Sequence, residues 1–412
     1  MHLTTNTKSS FIPSILSAAI ALAMSQSAMA EGADSVTEAI TSGKAYGDVR
    51  LRYESVDQDN ALKDASALTI RTRFGYTTGE LSGLSAGLEF EDSRTVLGVD
   101  EYNNAIGRNA GVYSVVADPE TTELDQGYLK YKRSGVTATA GRQVIALDNQ
   151  RFVGHVGWRQ DRQTFDGLRL QSEFVENLSA EYAYLSKRNR IFAEEGDIKS
   201  KDHLFNVGYK TDLGKLSAYA YLLEVDQAVE NGLDTYGVRF AGDKSLSEDA
   251  NALYSVEYAT QESDAAGTKF DADYLLLEVG ASLKGVTAKV GYEELGSDEG
   301  KYGFSTPLAT LHAFNGWTDQ FLSTPNQGLV DTYLSVEGKV AGLKLAAIYH
   351  DFSADESAPG IDDFGNELDL LVAKNFNANY SAGLKYGMYS AGDAGTGKVD
   401  TDKAWIWLAA KF

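Results

Sequence analysis

The feature that most constrains the fold of this chain is an alternation of apolar and polar residues that recurs in segments of about ten residues. The first such segment contains Val49, Leu51 and Tyr53, which alternate with charged residues. The pattern returns over 66–78 and over 82–92. A period of two indicates a β-strand with one apolar face, and about ten residues are enough to cross a bilayer at a tilt.

The alternation continues to the end of the chain. Further strands are predicted near 124–133, 135–142, 163–174, 177–187, 201–211, 214–225, 233–242, 250–261, 270–283, 284–294, 328–340, 341–352, 365–375, 379–390 and 402–412. Together these segments make about 18 strands, with 16 as the alternative. A sheet in lipid must close so that no backbone edge stays unpaired. We therefore predict an all-β fold, a transmembrane antiparallel β-barrel.

The connections between these strands alternate in length. Short turns occur at 81–83, 133–135, 176–177, 213–214, 284–285, 341–342 and 377–378. Long polar connections fall at 93–123, 143–162, 188–200, 295–327, 353–364 and 391–401. Short periplasmic turns on one rim and long extracellular loops on the other are typical of bacterial outer-membrane barrels.

The first thirty residues have the pattern of a secretory signal peptide. Lys8 precedes an apolar run over 11–24, and Ala28-Met29-Ala30 forms a small-residue cleavage site. We predict a removed signal peptide over 1–30, a short periplasmic segment over 31–43, and a single barrel domain over 44–412. No later segment approaches the ~18 to 20 consecutive apolar residues that a membrane helix needs.

The end of the chain and the composition both favour a barrel over a soluble β-sandwich or β-helix. Residues 404–412 form an amphipathic strand that ends in Phe412 and resembles the terminal recognition signal of outer-membrane barrels. The chain has 40 Gly, 23 Tyr and 17 Phe, which suits strands, tight turns and aromatic belts. We therefore expect the outer membrane of a Gram-negative bacterium, with lipid and lipopolysaccharide as surroundings.

The search for catalytic or metal-binding motifs gives no convincing site. The segment 392–399 is close to a phosphate loop, but Val399 stands where Ser or Thr is required. The acidic run from Asp57 to Asp64 lacks the glycine and glutamate of a calcium loop. The histidines after residue 30 fall in no catalytic pattern; they are His155, His203, His312 and His350. We expect no enzyme activity, cofactor or metal, although the fold alone does not exclude an outer-membrane enzyme.

Four arginines stand close together in a chain whose net charge is -22. They lie in the segment 141–165 and are Arg142, Arg151, Arg159 and Arg162. That net charge argues against nucleic acid as a partner, whereas a local cluster of cations favours an anion site. The simpler interpretation is that these arginines pair with Asp148, Asp161 and Asp166 and fix a loop.

Arginine is concentrated in the first half of the chain, since only Arg239 follows residue 200. The alternation places several arginines on the polar face, which in a wide barrel faces the lumen; these are Arg50, Arg52, Arg71, Arg73 and Arg169. Glu181, Glu257 and Glu278 should face inward from later strands. The alternative role for the first four arginines is to stiffen the barrel by pairing with Asp48, Glu54, Glu89 and Glu91.

Four stretches resemble the alginate export family of outer-membrane porins. They are Asp48 to Glu54 (DVRLRYE), the segment 141–160 with its GRQ, RFVG and GWRQ motifs, the segment 306–317 (TPLATLHAFNGW), and the segment 349–352 (YHDF). The resemblance implies a barrel whose arginine-lined constriction is narrowed by loops folded inward and passes an anionic polyuronate. The arginines that match are Arg50, Arg52, Arg142, Arg151 and Arg159.

These observations lead to a functional expectation. We expect a channel for passive diffusion of anionic solutes, such as uronate oligosaccharides or small carboxylates. The alternatives are an export channel for an anionic exopolysaccharide such as alginate, with a periplasmic partner, and a non-selective general porin. The predicted substrate pathway comprises Arg50, Arg52, Arg71, Arg73, Arg142, Arg151, Arg159, Arg162 and Arg169. The residues predicted to pack the loop 295–327 against the arginine-rich loop are Trp158, His312, Phe314 and Trp317.

Overall fold

The computed structural model describes residues 32–229 and 231–412, so the predicted signal peptide over 1–30 lies outside the described residues. It shows a closed antiparallel barrel of 18 strands. A short helix, α1 (Val36–Thr41), precedes the barrel. The first barrel strands are β1 (Lys44–Gln58), β2 (Ala65–Thr77), β3 (Leu84–Glu101), β4 (Thr121–Arg133), β5 (Val136–Gln143), β6 (Thr164–Val175), β7 (Leu178–Asn189), β8 (Ile198–Thr211) and β9 (Gly214–Leu223). The next are β10 (Asn231–Ser247), β11 (Ala250–Ala265), β12 (Thr268–Leu283) and β13 (Val286–Leu295).

A separate two-stranded hairpin, β14 (Ser297–Asp298) and β15 (Tyr302–Gly303), lies within the loop after β13. The barrel then continues with β16 (Leu329–Val340), β17 (Leu343–Ala358), β18 (Ile361–Asn375), β19 (Tyr380–Ser390) and β20 (Thr401–Lys411). Successive barrel strands pair with each other, and β1 pairs with β20 to close the sheet. The predicted fold class is confirmed. No helix in the described part of the chain is long and apolar enough to cross a membrane.

The barrel exposes apolar side chains outward and buries charged ones inside. On the outer face of β2 and β3, Phe74, Leu88 and Phe90 are exposed, because their environment in the cell is the lipid bilayer. On the inner face, Arg71 and Glu91 are buried. A soluble protein has the opposite pattern, with apolar side chains inside and charged ones outside. Period-two alternation gives the pattern seen here because one face of each strand meets lipid and the other meets a polar interior.

The short rim is built from tight turns whose backbone conformation matches the twist of the strands. Four two-residue turns of this rim have positive φ at both positions, at Ser82–Gly83, Ser134–Gly135, Lys284–Gly285 and Ala341–Gly342. Positive φ at both positions defines the hairpin turn that suits right-twisted strands, and glycine adopts it without steric cost.

Several strands are longer than the sequence predicts. The predicted loop over 353–364 is mostly strand, since β17 and β18 are joined by residues 359–360 alone. Similarly, β3 extends to Glu101 into a segment predicted as loop. We place these extensions beyond the apolar band of about 25 Å, where no apolar face is needed and the alternation therefore disappears.

Candidate functional site

Two long loops fold into the barrel and pair with each other. The first inner loop (144–163) joins β5 to β6, and the second inner loop (296–328) joins β13 to β16. Val153 and Leu308 form a β-bridge between the loops. The N–H of Gly154 donates to the carbonyl of Leu308 at 2.8 Å, and the N–H of Thr310 donates to that of Gln150 at 3.0 Å. The loops therefore form one unit inside the lumen.

The apolar residues of both loops pack against one side of the wall. Phe152 lies 5.3 Å from the ring of Tyr274 on β12 and 6.0 Å from that of Phe304 in the second inner loop. Val153 and Leu308 are each 1% exposed. The hydrophobic core of the protein thus lies inside the barrel, where it holds the inner loops in place.

Arginines of the first inner loop anchor it to opposite parts of the wall. Arg151 donates to Glu293 on β13 at 2.7 Å and to Asn315 of the second inner loop at 3.0 Å. Arg162 pairs with Asp125 on β4 and Glu89 on β3. Because β13 lies far around the barrel from β3 and β4, the loop crosses the lumen.

Arg159 joins the first inner loop to both the wall and the second inner loop. Its Nη1 lies 3.0 Å from Oε2 of Glu54 on β1, and its Nη2 lies 2.8 Å from Oδ2 of Asp319. All three side chains are at most 5% exposed. A buried guanidinium shared between two carboxylates is a strong anchor, because removing it leaves buried charges without a partner.

The inward-facing arginines of β1 bind the backbone of the first inner loop. Arg50 donates to the carbonyls of Trp158 (2.8 Å) and Arg159 (2.6 Å) and to Oε1 of Gln160 (3.0 Å). Arg52 binds the carbonyl of Trp158 and also pairs with a carboxylate of the loop between β3 and β4, Asp118. These arginines therefore position the loop as well as carrying charge.

The other predicted pathway arginines have carboxylate partners on neighbouring strands. Arg71 pairs with Asp48, Arg73 with Glu91, Arg142 with Asp166 at 2.8 Å, and Arg169 with Glu181 at 2.7 Å. The structure brings Arg50, Arg52, Arg71, Arg73, Arg159 and Arg162 together around residues 157–162, which we call the arginine cluster. It places Arg142, Arg151 and Arg169 elsewhere in the barrel.

Asp148 and Asp161, which were expected to pair with arginines of the segment 141–165, have other partners. Asp148 binds Lys215 at 2.8 Å. Asp161 accepts a hydrogen bond from the N–H of Ala193 at 3.1 Å, and burial, with Glu91 close by, raises its pKa well above the usual range. Glu257 and Glu278 pair with Arg239 and Lys289 on adjacent strands. Glu181, Glu257 and Glu278 therefore pair along the wall, whereas the sequence suggested a field across the lumen.

Three of the four predicted loop-packing residues, Trp158, His312 and Trp317, meet in a cluster of aromatic rings around one lysine. The rings of Trp158 and His312 stack at 5.2 Å with an interplanar angle of 5°. Lys385 on β19 places its Nζ 3.7 Å from the ring centroid of Trp317 and 4.5 Å from that of Trp158. Phe314 lies apart from these rings, 4.8 Å from Cζ of Arg151.

His312 is held neutral within this cluster. Its Nε2 lies 2.7 Å from Nζ of Lys385, and its Nδ1 lies 2.7 Å from Oδ1 of Asp319. These partners fit a neutral ring that donates from Nδ1 and accepts at Nε2. Burial, together with the charge of Lys385, lowers the pKa of His312 to about 3. Burial opposes ionisation of Asp319, but Lys403, His312 and Arg159 outweigh it and hold its pKa well below the usual range.

A comparison with known protein families shows which family the chain belongs to. A family model described as alginate export matches residues 41–294, which is more than half of the chain. The chain belongs to the alginate export family. No curated protein matches it.

Solved structures show that the fold of this alginate export family protein is shared by porins of other Gram-negative bacteria. OccK9 (OpdG) of Pseudomonas aeruginosa superposes with a TM-score of 0.70 at 15% identity, over 91% of this chain and 99% of that chain. OccAB1 of Acinetobacter baumannii superposes with a TM-score of 0.68 at 16% identity, over 93% of this chain and 99% of that chain. OccK11 (OpdR) of P. aeruginosa superposes with a TM-score of 0.67 at 16% identity, over 90% of this chain and 96% of that chain. The protein is an outer-membrane β-barrel channel.

Sequence reasoning did not find several residues that complete the site of this alginate export family member. Lys385 and Glu293 are buried wall partners of the inner loops, and Asp319 of the second inner loop has a side chain that is 5% exposed. The only signal was a lysine on the inward face of β19, between Gly383 and Gly387, where small residues leave room for a loop. Within the part of the chain that the structure describes, no group of three or more His, Cys, Asp or Glu side chains is arranged to hold a metal.

Proposed function

We propose that the channel conducts small anionic solutes, such as uronate oligosaccharides or other small carboxylates, by passive diffusion past the arginine cluster. The observation that carries this proposal is the environment of Arg50. Its guanidinium donates to the carbonyls of Gly157, Trp158 and Arg159 and to the amide of Gln160, all of which are neutral. Its positive charge is therefore solvated by dipoles, and no carboxylate among the described residues forms a salt bridge with it.

Neighbouring arginines strengthen the positive potential at this point. Arg71 lies opposite Arg50 in the register of β1 and β2, and Arg52 follows two residues later on the same face of β1. Arg52 and Arg71 each have a carboxylate partner, so they contribute less to the field than Arg50. Arg50 is half-buried and its guanidinium already donates to the first inner loop, so a carboxylate solute would be attracted to it, make a weak contact and be released again.

The test measures the selectivity for charge with two pairs of solutes. Purified protein in planar bilayers should give a reversal potential that indicates preference for chloride over potassium. In proteoliposomes, D-glucuronate should enter faster than D-glucose, which has a hydroxymethyl group in place of the carboxylate. Cation preference in the unaltered channel, or faster entry of glucose, would contradict the proposal.

Export of an anionic polysaccharide is the second candidate, because the matching family model is described as alginate export. The inner loops favour small solutes instead, since both are fixed in the lumen by buried ion pairs such as Arg151 with Glu293. Transport of polyuronate chains across proteoliposomes separates the two candidates. An exporter releases long chains, whereas the proposed diffusion channel passes short oligosaccharides and retains long ones.

A further inference from the structure

A cavity of about 320 Å³ lies beneath residues 313–317 of the second inner loop, on the wall formed by β10 to β17. None of the nine predicted pathway arginines lines it. In the closed barrel β13, near the middle of this wall, is six strands or about a third of the circumference away from β1, so the cavity lies on a different part of the wall from the arginine cluster. Its volume falls at the lower end of the range of small-molecule sites, about 300 to 1,000 Å³.

The accessible charges of this cavity are balanced. Glu278 and Glu337 supply two carboxylates, and Arg239 and Lys289 supply two cations. Each of the four has a charged partner at a long distance: Lys289 lies 3.2 Å from Glu278, Arg239 lies 3.3 Å from Glu257, and Glu337 lies 3.7 Å from Lys344. Side chains such as Lys289 and Glu278 are 27% and 19% exposed, so a solute can reach them.

The deeper carboxylates of the cavity already have strong partners. Glu293 accepts from Arg151 at 2.7 Å, and Asp331 lies 2.9 Å from Nδ1 of His350. Asn315 donates to both carboxylates. The groups left to bind a solute are therefore the two carboxylates and two cations at the surface of the cavity.

We propose that this cavity is a subsite for zwitterionic solutes, which carry one ammonium and one carboxylate group. A simple anion would meet Glu278 and Glu337, and a simple cation would meet Arg239 and Lys289, so each suffers repulsion that a zwitterion avoids. The apolar part of the solute would lie against Trp317 and other apolar lining residues. This inference rests on the channel function proposed above but not on its anion preference.

The experiment uses three solutes with the same carbon skeleton. Block of the ion current in planar bilayers is measured with 4-aminobutyrate, butyrate and butylammonium at pH 7. The zwitterion 4-aminobutyrate should block at the lowest concentration. Equal or stronger block by butyrate or by butylammonium would overturn the inference. The reversal potential, measured separately, reports the anion preference, so failure of one proposal is distinguishable from failure of the other.

Two substitutions give opposite changes in specificity. Glu278→Gln keeps an acceptor for the hydroxyl of Tyr333, which lies 2.8 Å from Glu278, but removes the charge. It should weaken block by 4-aminobutyrate about threefold to fivefold and strengthen block by butyrate. Lys289→Met should weaken block by 4-aminobutyrate to a similar extent and strengthen block by butylammonium.

A matched control is Glu262→Gln, which removes the carboxylate of another strand-to-strand pair, with Lys269 at 2.7 Å. This pair is exposed at the far ends of β11 and β12 and does not line the cavity. The control should leave the order of the three solutes unchanged. If Glu278→Gln and Lys289→Met changed block by all three solutes alike, the inference would be wrong.

Discussion

Arg159 and Asp319 lie on different inner loops, yet Nη2 of Arg159 is 2.8 Å from Oδ2 of Asp319. Because Nη1 of Arg159 also binds Glu54 on β1, one guanidinium fixes both loops to the wall. Asp319 is bound further by Lys403 on β20 at 3.0 Å. The width of the channel at this level therefore depends on a few buried ion pairs.

Replacing Arg159 by Ala should loosen the inner loops. The substitution leaves Glu54 and Asp319 buried with fewer partners, and breaking such a pair typically costs about 3–5 kcal/mol. We expect a larger and noisier single-channel current in planar bilayers. Arg188→Ala is the matched control, since Arg188 forms a buried pair with Asp202 on the neighbouring strand at 2.7 Å. An unchanged current in Arg159→Ala, or the same change in Arg188→Ala, would contradict the anchoring role.

Replacing Arg50 by Met should reduce the preference for anions. This variant removes the guanidinium that has only neutral partners among the described residues. We expect the ratio of chloride to potassium permeability, from reversal potentials in a salt gradient, to fall by about a factor of two. Arg94→Met serves as the control, because Arg94 is exposed and paired with Asp92. A ratio that did not change in Arg50→Met would exclude Arg50 as the selectivity residue.

The position of the membrane can be tested on a single strand. Leu88 and Leu97 both lie on β3 with exposed side chains. Leu88 is within the paired part of the strand, whereas Leu97 lies beyond the last residues that pair with β4. We expect Leu88→Lys to reduce the free energy of unfolding in lipid by about 2–4 kcal/mol, and Leu97→Lys to have an effect near zero. Similar losses in denaturant titrations of both variants would place the bilayer elsewhere.

The sequence predicted the barrel well because its strands obey one local rule. Alternation places Arg50, Arg52, Arg71 and Arg73 on the inner face, and the structure has them there. The partners of the inner loops follow no such rule, since Arg151 and Glu293 are 142 residues apart. Periodicity assigns a side chain to a face but gives no information on which distant loop will reach it. The extended ends of strands such as β17 were missed for the related reason that alternation stops outside the lipid.

His312 makes the contact between the inner loops sensitive to pH. In the unfolded chain a histidine has a pKa near 6.5, whereas in the folded protein burial and Lys385 lower the pKa of His312 to about 3. The unfolded chain therefore binds the proton more readily between these values. The stability contributed by neutral His312 is fully present above about pH 6.5 and is lost as the pH falls toward 3.

Protonation of His312 at low pH should therefore weaken the cluster of aromatic rings around Lys385. A proton on Nε2 would remove the acceptor for Lys385 and place two cations side by side, while Asp319 and Arg159 stay charged nearby. We expect the thermal unfolding temperature to fall between pH 7 and pH 4.5, and to fall less in His312→Gln, whose amide offers both a donor and an acceptor but does not titrate in this range. His203→Gln is the matched control, because Nδ1 of His203 binds the hydroxyl of Tyr182 at 2.9 Å, away from the inner loops. If His312→Gln retained the full pH dependence, carboxylates elsewhere in the barrel would account for it and His312 would have no part in acid sensitivity.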